Sequence, residues 1–250
     1  MHSFGEKVIL ITGAGRGLGR ALAKAFAAAG GRVAVNDFTP INLDQTVEEI
    51  RAAGGEVRDY LFDTGKKMPV QALVESVRSD FGALDVLVHC AAILPKKEIL
   101  ELDEWDWRRA IDVNVNGPFF LAQSVGRVMK EQASGVILNI CLPPGGFNDE
   151  YSRAVYLVSR SGLISLTRAA ATEMAAFGVR VNAICPGSIS GEGSLLPLAS
   201  GAGWPAEMPQ VQSGRMDETA RLALFLCGPE ATNLTGQAIR VEHERAETIW

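Results

Sequence analysis

Short stretches that are apolar almost from end to end recur along this chain: Val8–Thr12, Arg32–Asn36, Val86–Cys90, Val136–Cys141, Arg180–Cys185 and Gln237–Val241. A strand with one wet face alternates polar and apolar residues. A strand without that alternation has to be covered on both faces, which is the situation inside a parallel sheet. Glu56–Phe62 is a weaker strand of the same series. Between the strands the spacing of apolar residues predicts helices over Leu18–Ala29, Leu43–Ala53, Val70–Phe81, Glu104–Glu131, Ala154–Ala176 and Glu218–Leu226. Alternation of this kind predicts an α/β chain with a doubly wound parallel sheet and right-handed crossovers. No repeat, linker or low-complexity tract divides the sequence, so residues 1–250 are expected to form a single domain. Within it Ser188–Gly214, rich in Gly, Ser and Pro, is too long for an ordinary connection and reads as a lid over substrate or a partner.

Composition narrows the function classes. Lys and Arg number 24 against 29 Asp and Glu, a net charge of −5, which leaves no basic excess to neutralise nucleic-acid phosphates. No apolar run approaches the roughly 18 residues of a membrane span. The opening Met1-His2-Ser3-Phe4-Gly5-Glu6-Lys7 lacks the shape of a signal peptide, and a cytoplasmic location is expected. Cys90, Cys141, Cys185 and Cys227 form no Cys-x-x-Cys pair, so a zinc site, or any other metal site, is not expected. Cys90, Cys141 and Cys185 each end a strand and could stand in a row along the sheet edge, where they read as small buried fillers.

The first strand runs into Thr12-Gly13-Ala14-Gly15-Arg16-Gly17-Leu18-Gly19, which opens a helix. Glycines there let the backbone turn sharply and approach a pyrophosphate seated on the amide-rich helix end. The strand-loop-helix context makes this a dinucleotide loop, with Gly13, Arg16, Gly17, Leu18 and Gly19 as its binding residues. Asp37 ends the second strand, where a carboxylate accepts from adenosine ribose hydroxyls and repels a 2′-phosphate. Arg16 would pull the other way by pairing with that phosphate. The balance favours NAD.

With these residues in place the chain resembles the short-chain dehydrogenase/reductase family over nearly its full length. Thr12–Gly19 is similar to the family's glycine motif, and Asp63 to its adenine-side aspartate. Asp112-Val113-Asn114-Val115-Asn116-Gly117 resembles its Asn-containing helix segment. Tyr156 stands at its tyrosine position, and Val181–Gly187, Gly214–Met216 and Leu234–Gln237 match its later segments. The resemblance implies a Rossmann-type sheet of seven strands in the order 3-2-1-4-5-6-7 and a tetramer. It also implies chemistry on a small hydroxy or oxo substrate. A tyrosine exchanges a proton with the substrate oxygen, and a lysine four residues on lowers its pKa. A serine hydrogen-bonds the same oxygen, and an asparagine positions a water.

Asn114 and Tyr156 match that set, but Arg160 stands at the lysine position and Leu142 at the serine position. The family's Asn-Asn-Ala-Gly segment reads His89-Cys90-Ala91-Ala92, with Ala91 facing the cofactor, and its Asp-Gly-Gly reads Glu242-His243-Glu244. Arginine still favours a tyrosinate by its charge but cannot relay a proton. Losing a donor to a developing oxyanion costs roughly 10²–10³ in rate. Ala92 adds a β-carbon where a positive φ would strain it. Three such changes predict a catalytically impaired subunit, paired in a hetero-tetramer with a competent related chain acting on hydroxyacyl thioesters in catabolism. Two alternatives stand beside it. One is a self-sufficient homo-oligomeric NAD-dependent alcohol dehydrogenase or ketone reductase using Tyr156 with Arg160; the other is an NAD(H)-binding sensor or scaffold.

Overall fold

The structure, a computed structural model, describes residues 4–95, 97–141, 153–186, 214–241 and 246–248. In chain order the elements are β1 (Val8–Thr12), α1 (Gly17–Ala28), β2 (Arg32–Asp37), α2 (Pro40–Ala52), β3 (Val57–Leu61), α3 (Lys67–Phe81), β4 (Val86–His89) and α4 (Glu104–Ile111). They continue with α5 (Gly117–Gln132), β5 (Gly135–Ile140), α6 (Arg153–Met174), β6 (Val179–Pro186), α7 (Gly214–Cys227), β7 (Ala238–Val241) and β8 (Ala246–Thr248). The sheet order is β3-β2-β1-β4-β5-β6-β7-β8. The first seven strands are parallel, in the predicted order. The eighth is an addition to the expectation and lies antiparallel to β7, with Arg240 opposite Glu247. It covers backbone groups that an edge strand would otherwise present to solvent.

Both faces of the sheet are buried, as the unbroken apolar strands require. Successive β1 side chains point to opposite sides. Ile9 and Ile11 pack with Leu22, Phe26 and Leu43 of α1 and α2. Val8 and Leu10 pack with Leu73 and Leu121 of α3 and α5. Because β1 has β2 on one side and β4 on the other, the crossovers diverge above their carboxyl ends. That divergence opens the crevice in which such sheets hold ligands.

The sequence predicts one helix over Glu104–Glu131; the structure divides it. A π-helical segment, Asp112–Asn116, separates α4 from α5. Two neighbours explain the break. Pro118 has no amide to give the Asn114 carbonyl four residues earlier. The Gly117 amide instead reaches the Asp112 carbonyl five residues back. Gly117 has no room for a side chain, since a β-carbon there would lie 2.7 Å from the Thr64 carbonyl oxygen. Segments of this kind often mark functional sites.

On the far side of the sheet Arg180 of β6 fastens the end of α7. Its guanidinium donates to the carbonyls of Leu226 at 2.7 Å, Ala231 at 3.0 Å and Gly228 at 3.1 Å. These are the helix-end carbonyls that lack partners of their own. Replacing Arg180 with methionine keeps the stem and strands them, so a loss of about 3 kcal/mol is expected. Thermal denaturation should show this as a melting temperature lowered by roughly 6–12 °C; an unchanged midpoint would contradict the assignment.

Candidate active site

The loop after β1 is shaped by its glycines. Gly13 has φ +66°, and a β-carbon on it would lie 2.7 Å from the Ala91 Cα. Only glycine lets this loop lie against the end of β4. Gly17 has φ +53° and starts α1, and Leu18 and Gly19 are buried behind it. Arg20 grips the Gly15 carbonyl from within the helix, with Nε at 3.1 Å and Nη2 at 2.5 Å. The N-terminus of α1 has no side-chain cap and no acid in its first turn. Its amides and half-buried Arg16 therefore favour an anion.

Asp37 closes the loop on its other side. The Gly15 amide donates to one carboxylate oxygen at 2.9 Å and the Thr39 amide to the other at 3.0 Å. These residues fit a dinucleotide. The cradle from Gly13 to Gly19 suits a pyrophosphate, and Asp37 stands where a ribose would lie. Asp63 is already engaged: Arg109 of α4 pairs with both of its oxygens at 3.0 and 3.1 Å. The same guanidinium lies 6.0 Å from the ring centre of Phe38, which is 70% exposed.

Thr12 joins the loop to β4. Its hydroxyl oxygen receives the Cys90 amide at 3.3 Å and the Ala91 amide at 3.4 Å, and lies 2.9 Å from His89 Nδ1. A threonine oxygen has two lone pairs and one proton. With both lone pairs used, the proton goes to Nδ1, which assigns the His89 hydrogen to Nε2. His89 is fully enclosed, and burial pushes its pKa down to about 4. It is neutral at physiological pH.

Asn114 lies in the π-helical segment and is buried. Its side chain forms a reciprocal pair with the Ile93 backbone, accepting at 2.9 Å and donating at 2.8 Å. It also contacts Ser159 Oγ at 3.4 Å, and that hydroxyl donates back along α6 to the Val155 carbonyl at 2.6 Å. Tyr156 lies on α6 between these residues, four positions before Arg160. His89, Ala92, Asn114, Cys141, Ser159 and Arg160 line a cavity of about 20 Å³, room for a water-sized molecule.

Arg160 hydrogen-bonds Cys185, which is itself hydrogen-bonded to Cys141. The Cys141 thiol holds Cys185 below the ordinary thiol pKa, against the effect of burial and with help from the Arg160 charge. Cys141 moves the opposite way, raised by the Cys185 hydrogen bond and by burial. Cys90 does not extend the pair into a row. His89 is the register partner of Asn139, so Cys90 follows the Ile140 face and packs with Ile11 and Leu18. Cys141, one residue further along β5, packs on the opposite side with Leu163, Ala183 and Cys185.

The strain expected at Ala92 is not found. Among the described non-glycine residues only Glu6 and Ala133 have positive φ. Leu142 and residues 188–213 of the expected lid lie outside the described residues. Sequence reasoning missed the role of Ser159 as the link from α6 to Asn114, and that of Arg20 as the clasp on the loop. Neither is marked by residue type; both follow from one helical turn carrying a small polar or cationic residue beside a motif. No group of three or more His, Cys, Asp or Glu among the described residues could hold a metal ion.

The described loop over the carboxyl ends of β1 and β4 has the form that a dinucleotide would fit. A family model described as enoyl-(acyl carrier protein) reductase matches residues 13–243. An uncharacterized oxidoreductase of Thermotoga maritima is 37% identical over 96% of this chain and 97% of its own length. A 3-oxoacyl-(acyl-carrier-protein) reductase of the same organism is 33% identical over 94% of this chain and 96% of its own. The crystal structure of a hydroxysteroid dehydrogenase from Escherichia coli superposes with a TM-score of 0.83 at 30% identity, covering 97% of this chain and 98% of that one. The chain belongs to the short-chain dehydrogenase/reductase family. No helix among the described residues is long and apolar enough to cross a bilayer.

His89 gives this site a pH signature. Its folded pKa, about 4, lies below the ordinary value of 6.5, so the fold favours the neutral ring. The stability this confers is fully present above pH 6.5 and falls as pH drops toward 4, by roughly 3 kcal/mol in all. Denaturant titrations across that window should show the decline, and His89→Gln should flatten it. An equal slope in both proteins would remove His89 as its source.

Proposed function

We propose that this chain is an NAD(H)-binding oxidoreductase subunit whose own hydride transfer is slow. In this reading it works in a tetramer beside a competent chain of the same family, on hydroxyacyl or oxoacyl substrates. The observation that carries the reading is the engagement of Arg160. The cation at the position of the family's lysine hydrogen-bonds Cys185. Its charge is shared with a thiol instead of being directed wholly at Tyr156. Leu142 supplies no hydroxyl to a reacting oxygen, so two of the polar groups that such chemistry uses are weakened together.

A bound nicotinamide supplies or accepts the hydride. The chain's own contribution is to hold the dinucleotide through Gly13, Arg16, Gly17, Leu18 and Gly19, with Ala91 closing the approach. Tyr156 moves the proton at the substrate oxygen, and Asn114 fixes the backbone of Ile93 beside the cavity. Asp37 supports NAD over NADP, because its carboxylate is anchored beside the loop where a 2′-phosphate would meet like charge. The oxoacyl class is supported by the similarity to 3-oxoacyl-(acyl-carrier-protein) reductases. Exposed Trp105 at 72%, with Phe119, Leu157 and Val158, supports subunit contacts through α4, α5 and α6. One observation favours a second reading, a self-sufficient alcohol dehydrogenase or ketone reductase: Asn114 is buried against the helix that bears Tyr156.

Assays of the chain purified from its native source separate the two. Copurification of a second family member, with turnover that rises sharply when the two are combined, supports the paired subunit. Rapid NADH formation by the isolated chain with any alcohol overturns it. Restoring the missing groups in Leu142→Ser/Arg160→Lys should raise the isolated chain's kcat by roughly 10²-fold, and adding Tyr156→Phe should remove the gain. Cofactor choice is tested separately. In Asp37→Ala the ratio of NADH to NADPH affinity should shift toward NADPH by about tenfold, equivalent to about 1.4 kcal/mol; an unchanged ratio would contradict the role given to Asp37.

A further inference from the structure

We propose that Cys141 and Cys185 form a modification site for small hydroperoxides, a thiol pair reached through the cavity beside Cys141 that closes to a disulfide. Three features place the two sulfurs together. The parallel register of β5 and β6 pairs Ile140 with Ile184, and the Cys141 amide donates to the Ile184 carbonyl at 2.8 Å. The next residues on each strand are the two cysteines. Neighbouring strands lie about 4.8 Å apart, inside the Cα separation of roughly 4.4–6.8 Å that a disulfide spans. Both side chains enter one small apolar cluster with Leu163, Ala183 and Ala238, and their thiols are hydrogen-bonded to each other.

The surroundings favour an anion on the pair. Arg160 of α6 hydrogen-bonds Cys185, and Arg240 of β7, the register partner of Cys185, adds attraction from the other side. A thiolate is the reactive form of cysteine. Burial prevails at the other two thiols and pushes both Cys90 and Cys227 up to about 12, the second in spite of attraction from Arg180. Access is through the cavity that Cys141 and Arg160 line, which takes a water-sized molecule. Hydrogen peroxide is of that class; a bulky oxidant is not.

The step balances with hydrogen peroxide as the named oxidant. The Cys185 thiolate attacks one peroxide oxygen. An S–O bond forms, the O–O bond breaks, and hydroxide leaves. Cys185 is then a sulfenic acid and Cys141 a thiol. The Cys141 sulfur attacks the Cys185 sulfur, the S–S bond forms and the S–O bond breaks, and the departing oxygen takes the Cys141 proton and leaves as water. The two cysteines lose two electrons, and the peroxide is reduced to one hydroxide and one water.

The test does not depend on turnover, so it stands apart from the functional reading above. The full-length folded chain is exposed to hydrogen peroxide, its remaining thiols are blocked, and its peptides are mapped with and without reductant. The expected product is a Cys141–Cys185 linked peptide pair, lighter by two hydrogens and lost on reduction. It should appear at least roughly tenfold faster than any oxidation of Cys90 or Cys227. Cys141→Ser and Cys185→Ser should each abolish the linked pair, and Arg160→Met should slow its formation at neutral pH. Absence of the linked pair in the native chain, or oxidation of all four cysteines at similar rates, overturns the proposal even if the variants fail to fold.

Discussion

The arrangement of this molecule depends on how closely the first loop approaches the fourth strand. A β-carbon on Gly13 would lie 2.7 Å from the Ala91 Cα, so the chain can pass there only as glycine. Thr12 makes that approach specific. One hydroxyl receives two amides from the end of β4 and gives its proton to His89. The Thr12 oxygen, the two amides and His89 Nδ1 are paired with one another inside the structure, and paired polar groups rigidify a core instead of weakening it. From this contact the loop extends to Asp37 on one side, while His89 faces the cavity on the other. Dinucleotide cradle and cavity wall therefore share a foundation that includes none of Tyr156, Arg160 or Leu142.

That separation explains which parts of the protein were legible in the sequence. Strands covered on both faces carry an unambiguous apolar signature, and β1 through β7 were readable within a residue or two. The glycine loop was readable because its spacing, position and following helix agree. What escaped was set by single atoms. The break between α4 and α5 comes from the amide that Pro118 lacks, inside a stretch whose apolar spacing continues as a helix. β8 spans three residues, Ala246–Thr248, and has no apolar run to announce it. The cysteine row failed by one residue of register: a single step along a strand moves a side chain to the other face. Cys90 and Cys141 occupy strand ends of similar sequence and yet belong to different cores.

The candidate site was legible in the same uneven way. Asn114, Tyr156 and Arg160 could be marked through the family resemblance, and the spacing of the last two puts them on one helix face, because residues four apart on a helix are neighbours. What Arg160 touches could not. Its partner, Cys185, lies on a strand 25 positions along the chain and reaches it because α6 packs on β6.

Arg160 connects the two proposals. A guanidinium stays protonated under all physiological conditions, so it acts on its neighbours only by charge and hydrogen bonding. Hydrogen bonds to charged groups are worth about 1.5–3 kcal/mol, so a thiolate on Cys185 holds Arg160 against any competing anion in the cavity to about that extent. A tyrosinate on Tyr156, or an oxyanion developing on substrate, has to overcome that hold before it gains the cation. Closing Cys141 and Cys185 into a disulfide removes the thiolate and leaves a neutral pair. The guanidinium would then be released to another anion in the cavity, and Tyr156, the proposed acid–base group, would gain the electrostatic support that the reduced thiols withhold. On this reading the oxidation state of two buried cysteines sets how much of one fixed positive charge is available to the chemistry beside it.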